Sequence, residues 1–179
     1  MANGTRTKKA LADSLRTLME IQPVDRISVA EICASCGLTR KSFYYHFMDK
    51  YDLINWIFET EFALPSRSRS YGSDWEILED LCCYLYENRS FYRRVLRVQG
   101  QNSFYEYLQG YLRPLVQSRC REIMGESADG SFYSGVAEEL VGGAIKRWLQ
   151  EGEIPPKEYV ELMKTTILQF AGWVCRTMA

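Results

Sequence analysis

Apolar positions along the chain recur at spacings of three and four, with little strict alternation, and this predicts helices almost throughout. Leu11, Leu15, Leu18 and Met19 form the first apolar stripe. It predicts a helix over 5–21, ended by Pro23. Ser28 with Glu31 three residues on is a capping box, and it opens a second helix running to about residue 35. Gly37 supplies the turn. Thr39 or an immediate neighbour caps a third helix carrying Arg40 to His46, and Asp49 caps a fourth with the stripe Leu53, Ile54, Ile57, Phe58 and Phe62. After the polar stretch 66–70, helices are predicted near 74–88, 90–98, 102–124, 132–151 and 156–177. Prolines 23, 65, 114 and 155–156 are placed at boundaries. The expected fold is all-α, about nine helices, with a three-helix head over 5–65 and a helical body over 74–177. The fourth helix is expected to reach both lobes.

Two short helices joined by a three- or four-residue turn read as a helix-turn-helix over about 28–47. Val29, Ile32, Cys33, Leu38, Phe43 and Phe47 can fill its core. Thr39, Arg40, Lys41, Ser42, Tyr44, Tyr45 and His46 are then left facing outwards. Arg and Lys suit guanine edges or phosphates; Thr, Ser, Tyr and His suit phosphate oxygens. An ordinary solvated hairpin would show a similar polar face, so the pattern alone leaves both readings open.

Charge shifts the balance modestly. The net charge of the chain is −1, but residues 1–50 hold eight Lys/Arg against five Asp/Glu, and the rest is acidic. Hydrophobic residues at 46% suit a globular protein. There is no run of the roughly 18 apolar residues a membrane span requires, and residues 1–6 lack the core of a signal peptide. The chain is therefore expected in the cytoplasm, without a membrane partner.

Residues 28–54, SVAEICASCGLTRKSFYYHFMDKYDLI, resemble the signature of the TetR family of regulators. The likeness rests on Val29-x-x-Ile32, the Gly37-Leu38 turn, Phe43-Tyr44-Tyr45-His46-Phe47, Lys50 and Asp52-Leu53, and it extends over roughly 5–65. It implies sequence-specific binding to operator DNA and control of transcription. It also implies that Tyr44, His46 and Lys50 touch phosphates, while Arg40, Lys41 and Ser42 read bases. Ser28 would offer its hydroxyl and nearby backbone N–H groups to a phosphate. Residues 74–117, with Asn88-Arg89-Ser90-Phe91-Tyr92 and Gly100-Gln101-Asn102-Ser103-Phe104, resemble the C-terminal domain of one branch, which includes regulators of dihydroxyacetone kinase operons.

Other chemistry finds less support. Cys33 and Cys36 have redox or half-zinc spacing, but they lie at the end of a helix, where the dipole disfavours a thiolate. A structural zinc needs further ligands, and the single histidine is His46. Packing is the preferred role of the pair, and no metal or cofactor is expected. Nucleophilic catalysis would have to use that same histidine, and no phosphate-cradling Gly-rich lysine motif occurs. Glu138 and Glu139 are adjacent, point apart on a helix, and read as solvated. The competing function is a cytosolic cysteine redox or metal sensor without operator binding; a small enzyme ranks third.

The body is rich in aromatics. A small-molecule effector pocket is expected among Tyr92, Phe104, Tyr107, Tyr111, Trp148 and Met163. The last two helices are apolar over more than one stripe, which calls for two partners. Val136, Leu140, Ala144 and Trp148 on one, with Met163, Ile167, Phe170 and Val174 on the other, are expected to form a homodimer interface.

Overall fold

The computed structural model describes residues 2–98, 103–124 and 130–178. In chain order its helices are α1 (Ala2–Ile21), α2 (Val29–Ser35), α3 (Arg40–His46), α4 (Lys50–Phe58), α5 (Leu64–Arg67), α6 (Asp74–Glu87), α7 (Arg89–Val95), α8 (Phe104–Met124), α9 (Gly130–Glu151) and α10 (Pro156–Met178). A short 3-10 turn covers Val24–Arg26, and a π-turn over Glu59–Ala63 joins α4 to α5 without a break. Taking that continuous helix as one, there are nine helices and no strand among the described residues. The all-α expectation and the helix positions agree with this.

Two prolines depart from the boundary rule. Pro65 sits inside the continuous helix, directly after the π-turn. A proline ring strikes the carbonyl four residues earlier in a regular α-helix. The widened turn, where the Leu64 N–H bonds the Glu59 carbonyl, takes up that conflict. Pro114 lies within α8, and both it and Gly110, whose carbonyl loses its partner, are exposed, so water can satisfy that carbonyl.

The chain forms two compact units: residues 1–67 with 90–107, and residues 68–89 with 108–179. In the first, α1 packs on α2, α3 and α4 through Leu11, Leu15 and Met19, with Leu18 half-buried. Ser14, buried, donates its hydroxyl to the Ile32 carbonyl at 2.7 Å, which ties α1 to α2. The α4–α5 helix contributes Leu53, Ile54, Ile57, Phe58 and Phe62, all buried. Around Phe58 gather Tyr92, Phe104 and Tyr107, with ring centroids 6.3, 5.3 and 6.0 Å away in edge-on geometry.

In the second unit α6 packs on α10 and α9. Its centre is a stack in which Trp148 lies between Tyr159, at 4.5 Å, and Tyr86, at 5.7 Å. The Trp148 indole N–H donates to the Ile154 carbonyl at 2.8 Å. Glu138, read from sequence as solvated, instead accepts from Arg113 at 3.0 Å and Gln117 at 3.1 Å, which ties α9 to α8.

Candidate nucleic-acid interface

The joints of the helix-turn-helix are closed by local hydrogen bonds. At the start of α2 the Glu31 N–H donates to the Ser28 hydroxyl, and the Ser28 N–H donates to the Glu31 carboxylate at 2.8 Å. The Ser28 hydroxyl also donates to that carboxylate, at 2.7 Å. These bonds hold Glu31 below the usual carboxylate range. At the end of α2, Leu38 N–H reaches the Cys33 carbonyl and Gly37 N–H the Ala34 carbonyl. That pairing is a Schellman cap, and it puts Gly37 at φ +67°, a conformation a side chain resists. Thr39 accepts from the Ser42 N–H at 3.1 Å and starts α3. Asp49 accepts from the Tyr51 and Asp52 N–H groups and starts α4.

Side-chain packing then sets the roll of α3. Phe43 and Phe47 are buried, along with Ile32 and Cys33 of α2. Val29 and Leu38 are half-buried, so they seal the rim of this core more than its centre. The opposite face of α3 is open: Thr39, Arg40, Lys41, Tyr44 and Tyr45 are exposed, with Tyr45 at 84%, while Ser42 and His46 are half-buried. Thr39, Lys41, Ser42, Tyr44 and Tyr45 line one open hollow. The Arg40 guanidinium leans 5.9 Å above the Tyr44 ring, and Tyr45 meets His46 edge-on at 4.9 Å. Because Thr39 caps by accepting, its hydroxyl proton stays available as a donor.

Two of the expected phosphate contacts have other duties. The Ser28 hydroxyl proton is already donated to Glu31, so the closed capping box leaves that O–H no second acceptor. Lys50 donates its ammonium to the carbonyls of Asp25 at 2.9 Å and Ile27 at 2.7 Å, clamping the approach to α2 onto the start of α4. One of its three N–H bonds remains. Burial pushes the Lys50 amine below its ordinary value, offset in part by Asp25, Asp49 and Glu31.

Residues the sequence reading did not single out also border this region. Lys8 of α1 extends over Phe47 and Trp56, with its nitrogen 5.4 and 5.6 Å from the two ring centroids. Gly4 lies against His46: a Cβ built there would sit 3.7 Å from the imidazole. Met48, just past α3, is 79% exposed. The signal available in the sequence was the basic run before the first apolar stripe.

Both thiols of the cysteine pair are free. Cys33 is a buried free thiol whose burial raises its pKa, and the half-buried Cys36 thiol donates to the Ile32 carbonyl at 3.3 Å. No group of three His, Cys, Asp or Glu side chains is placed to hold a metal among the described residues.

The six residues expected around an effector separate between the two units. Tyr92, Phe104 and Tyr107 belong to the first. There Tyr92 and Phe104 are fully buried, and Tyr107 donates its hydroxyl to Glu59 on the π-turn. Burial, then that hydrogen bond, push the Tyr107 hydroxyl above its ordinary value. Tyr111, Trp148 and Met163 belong to the second unit, where Tyr111 is half-buried and the other two are buried.

The expected dimer set also divides. Val136, Leu140, Ala144 and Phe170 are exposed and Ile167 is half-buried, while Trp148 and Met163 are buried within the single chain. The side chain of Val174 lies outside the described residues. The reason on α9 is rotational: a row at i+4 turns about 40° per step, so it leaves the open face for the core by its third step. On α10 burial fades along the seam from Val160 through Ile167 to Phe170.

Comparison with known proteins agrees with this geometry. Residues 11–57 match the family described as "Bacterial regulatory proteins, tetR family", and residues 73–169, more than half the chain, match its "Transcriptional regulator C-terminal region". The HTH-type dhaKLM operon transcriptional activator DhaS of Lactococcus lactis subsp. lactis (strain IL1403) is 35% identical over 91 residues, 50% of this chain and 48% of the relative. The match thus spans about half the length of that curated relative. A solved structure of a dihydroxyacetone kinase operon activator, DhaS, superposes with a TM-score of 0.65 at 23% identity, covering 91% of this chain and 95% of the other. NalD of Pseudomonas aeruginosa, the secondary repressor of the MexAB-OprM multidrug efflux pump, superposes with a TM-score of 0.62 at 17% identity over 93% and 96%. At these identities the two superpositions establish the fold alone. The two family matches and the capped helix-turn-helix together place the chain in the TetR family of bacterial regulatory proteins.

Proposed function

We propose that the chain binds a palindromic operator as a homodimer, with α3 of each copy in a major groove. The observation that carries this is the two-sided build of α3. Phe43 and Phe47 anchor one side, and Arg40, Lys41, Tyr44 and Tyr45 stand open on the other. Arg40 and Lys41, in its first turn, are the base readers, with Ser42 beside them. Thr39, Tyr44, Tyr45 and His46 hold phosphates. Lys50 fixes the loop before α2 and offers its remaining N–H to the backbone, and at α2 the Val29 and Ala30 N–H groups, more than the Ser28 hydroxyl, meet a phosphate.

One recognition helix makes few contacts; two, held about 34–36 Å apart, read successive major grooves on one face of the duplex. The exposed row Phe132, Val136 and Leu140 on α9, with Leu162, Phe170 and Trp173 on α10, is the apolar surface a second copy would cover. Small-molecule control would act through a smaller set, Tyr92, Phe104 and Tyr107 with Glu59, all in the first unit and joined to the helix that follows α3. A ligand with different affinity for two arrangements of that cluster would shift DNA binding.

The test is to recover genomic duplexes bound by the purified protein and titrate the best one. Arg40→Ala with Lys41→Ala should cost about 1–3 kcal/mol per lost base contact and relax preference at those base pairs. Unchanged affinity and preference would remove α3 as the reader.

A further inference from the structure

We infer that the first two turns of α1 are a second DNA-contacting element, in which Arg6 and Lys9 bind phosphates flanking the groove occupied by α3. This rests on the reading that α3 enters duplex DNA, and it adds residues outside the helix-turn-helix.

The placement comes from two contacts. Gly4 lies against His46, the last residue of α3, close enough that a Cβ there would touch the imidazole. One turn on, the Lys8 stem crosses the α3–α4 joint, with its ammonium over Phe47 and Trp56. Together they fix the start of α1 beside the end of α3 and set its roll. Lys8 is turned inward and half-buried, while Thr5, Arg6 and Lys9 are exposed. On a helix Thr5 and Lys9 share one side, with Arg6 about 100° from Thr5, so the three occupy a single flank.

The chemistry of that flank is one-signed. Residues 1–12 contain Arg6, Lys8 and Lys9 and no Asp or Glu; the first acid is Asp13. Neither Arg6 nor Lys9 pairs with a carboxylate among the described residues. Arg16, further along α1, shows the alternative: its guanidinium is held by Glu61 at 2.6 Å and sits over Phe91. Two cations without a carboxylate partner among the described residues thus lie on the segment that Gly4 and Lys8 seat against the end of α3, and they are groups that bind a polyanion. Arg can take a phosphate with two parallel N–H bonds, and Lys as a compact charge. Such contacts position the protein and carry no base preference.

The experiment is the salt dependence of binding to the selected operator by full-length protein. Each phosphate contact contributes a slope of about −0.9 in log affinity against log salt. Arg6→Gln with Lys9→Gln should therefore make the slope shallower by about 1.8 per bound chain. Affinity should fall at least about tenfold near 0.15 M salt, equally for matched and mismatched sites. The melting temperature should hold, because both side chains are exposed. Arg121→Gln with Arg147→Gln, in the other unit, removes the same charge and should leave the slope unchanged. An unchanged slope for the α1 variant, or an equal change in both variants, overturns the proposal. Failure of the unmodified protein to prefer any duplex would instead overturn the DNA reading on which it rests.

Discussion

The helix-turn-helix and the α9–α10 pair both leave large side chains in the open, and the two surfaces differ in kind. On α3 the exposed groups are Arg40, Lys41, Tyr44 and Tyr45, all carrying hydrogen-bond donors, over a core sealed by Phe43. On α9 and α10 they include Phe132 at 69%, Leu140 at 64% and Phe170 at 63% exposure, side chains with no polar atom to offer water. A donor-rich face can stay hydrated until a polyanion replaces the water. An apolar face of this extent is costly to leave wet. This contrast is what supports the proposal that the first surface meets DNA and the second meets a like chain: holding two readers at a fixed spacing calls for both.

Substitutions can break this contrast. The largest effect is expected from Phe43→Ala, which empties a fully buried site under α3 and should cost about 3–5 kcal/mol in denaturant unfolding. Phe170→Ala at the open end of α10 should cost a single chain far less and show its effect in association. If both variants lose the same stability at a concentration where only monomer is present, the two surfaces are not different in kind.

Lys50→Met comes next. It strips two backbone carbonyls of their cationic donor, and a loss of about 1–2 kcal/mol is expected, discounted because the amine is partly solvated. The same variant should lose operator affinity. A normal melting curve with weakened DNA binding would make Lys50 a phosphate ligand alone and remove its clamping role.

Gly37→Ala tests the turn. A side chain at φ +67° should cost about 1 kcal/mol, although nothing stands within 4 Å of the added carbon. Ser28→Ala should cost a similar or slightly smaller amount through the lost cap. Glu31 adds a pH signature. Its folded pKa lies below the ordinary 4.5, so its contribution is present above that value and fades as pH falls through the depressed one. Glu31→Gln should flatten that acid limb; an identical acid limb in both proteins would mean the box is open in solution.

The head was far more legible in the sequence than the body, and the difference is one of range. Ser28 and Glu31, Gly37, Thr39 and Asp49 act on backbone groups two to four residues away, so their spacing alone locates α2, the turn, α3 and α4. What was hidden there depends on distant atoms. The carbonyls that occupy Lys50 lie 23 and 25 residues earlier, and the Gly4 contact with His46 spans 42 positions. In the body, helical periodicity located α9 and α10 but could not divide their apolar residues between one core and a partner. Trp148 and Met163 illustrate this: they share rows with exposed residues, yet are buried within the single chain. The π-turn before Pro65 and the proline within α8 were likewise invisible, because both depend on how the helix relaxes around a missing N–H.

The central claim, that the donor-rich face of α3 and the apolar face of α9–α10 serve one dimeric DNA reader, is tested most directly by the stoichiometry on DNA. Sedimentation of the protein alone and with its selected operator counts the chains on each duplex. Two chains per palindromic duplex are expected, with a dimer of the 20.8 kDa chain already present at micromolar concentration. Leu140→Asp with Phe170→Asp should give a folded monomer that binds the operator weakly. A single unmodified chain of 20.8 kDa holding the full palindrome as tightly would contradict the account.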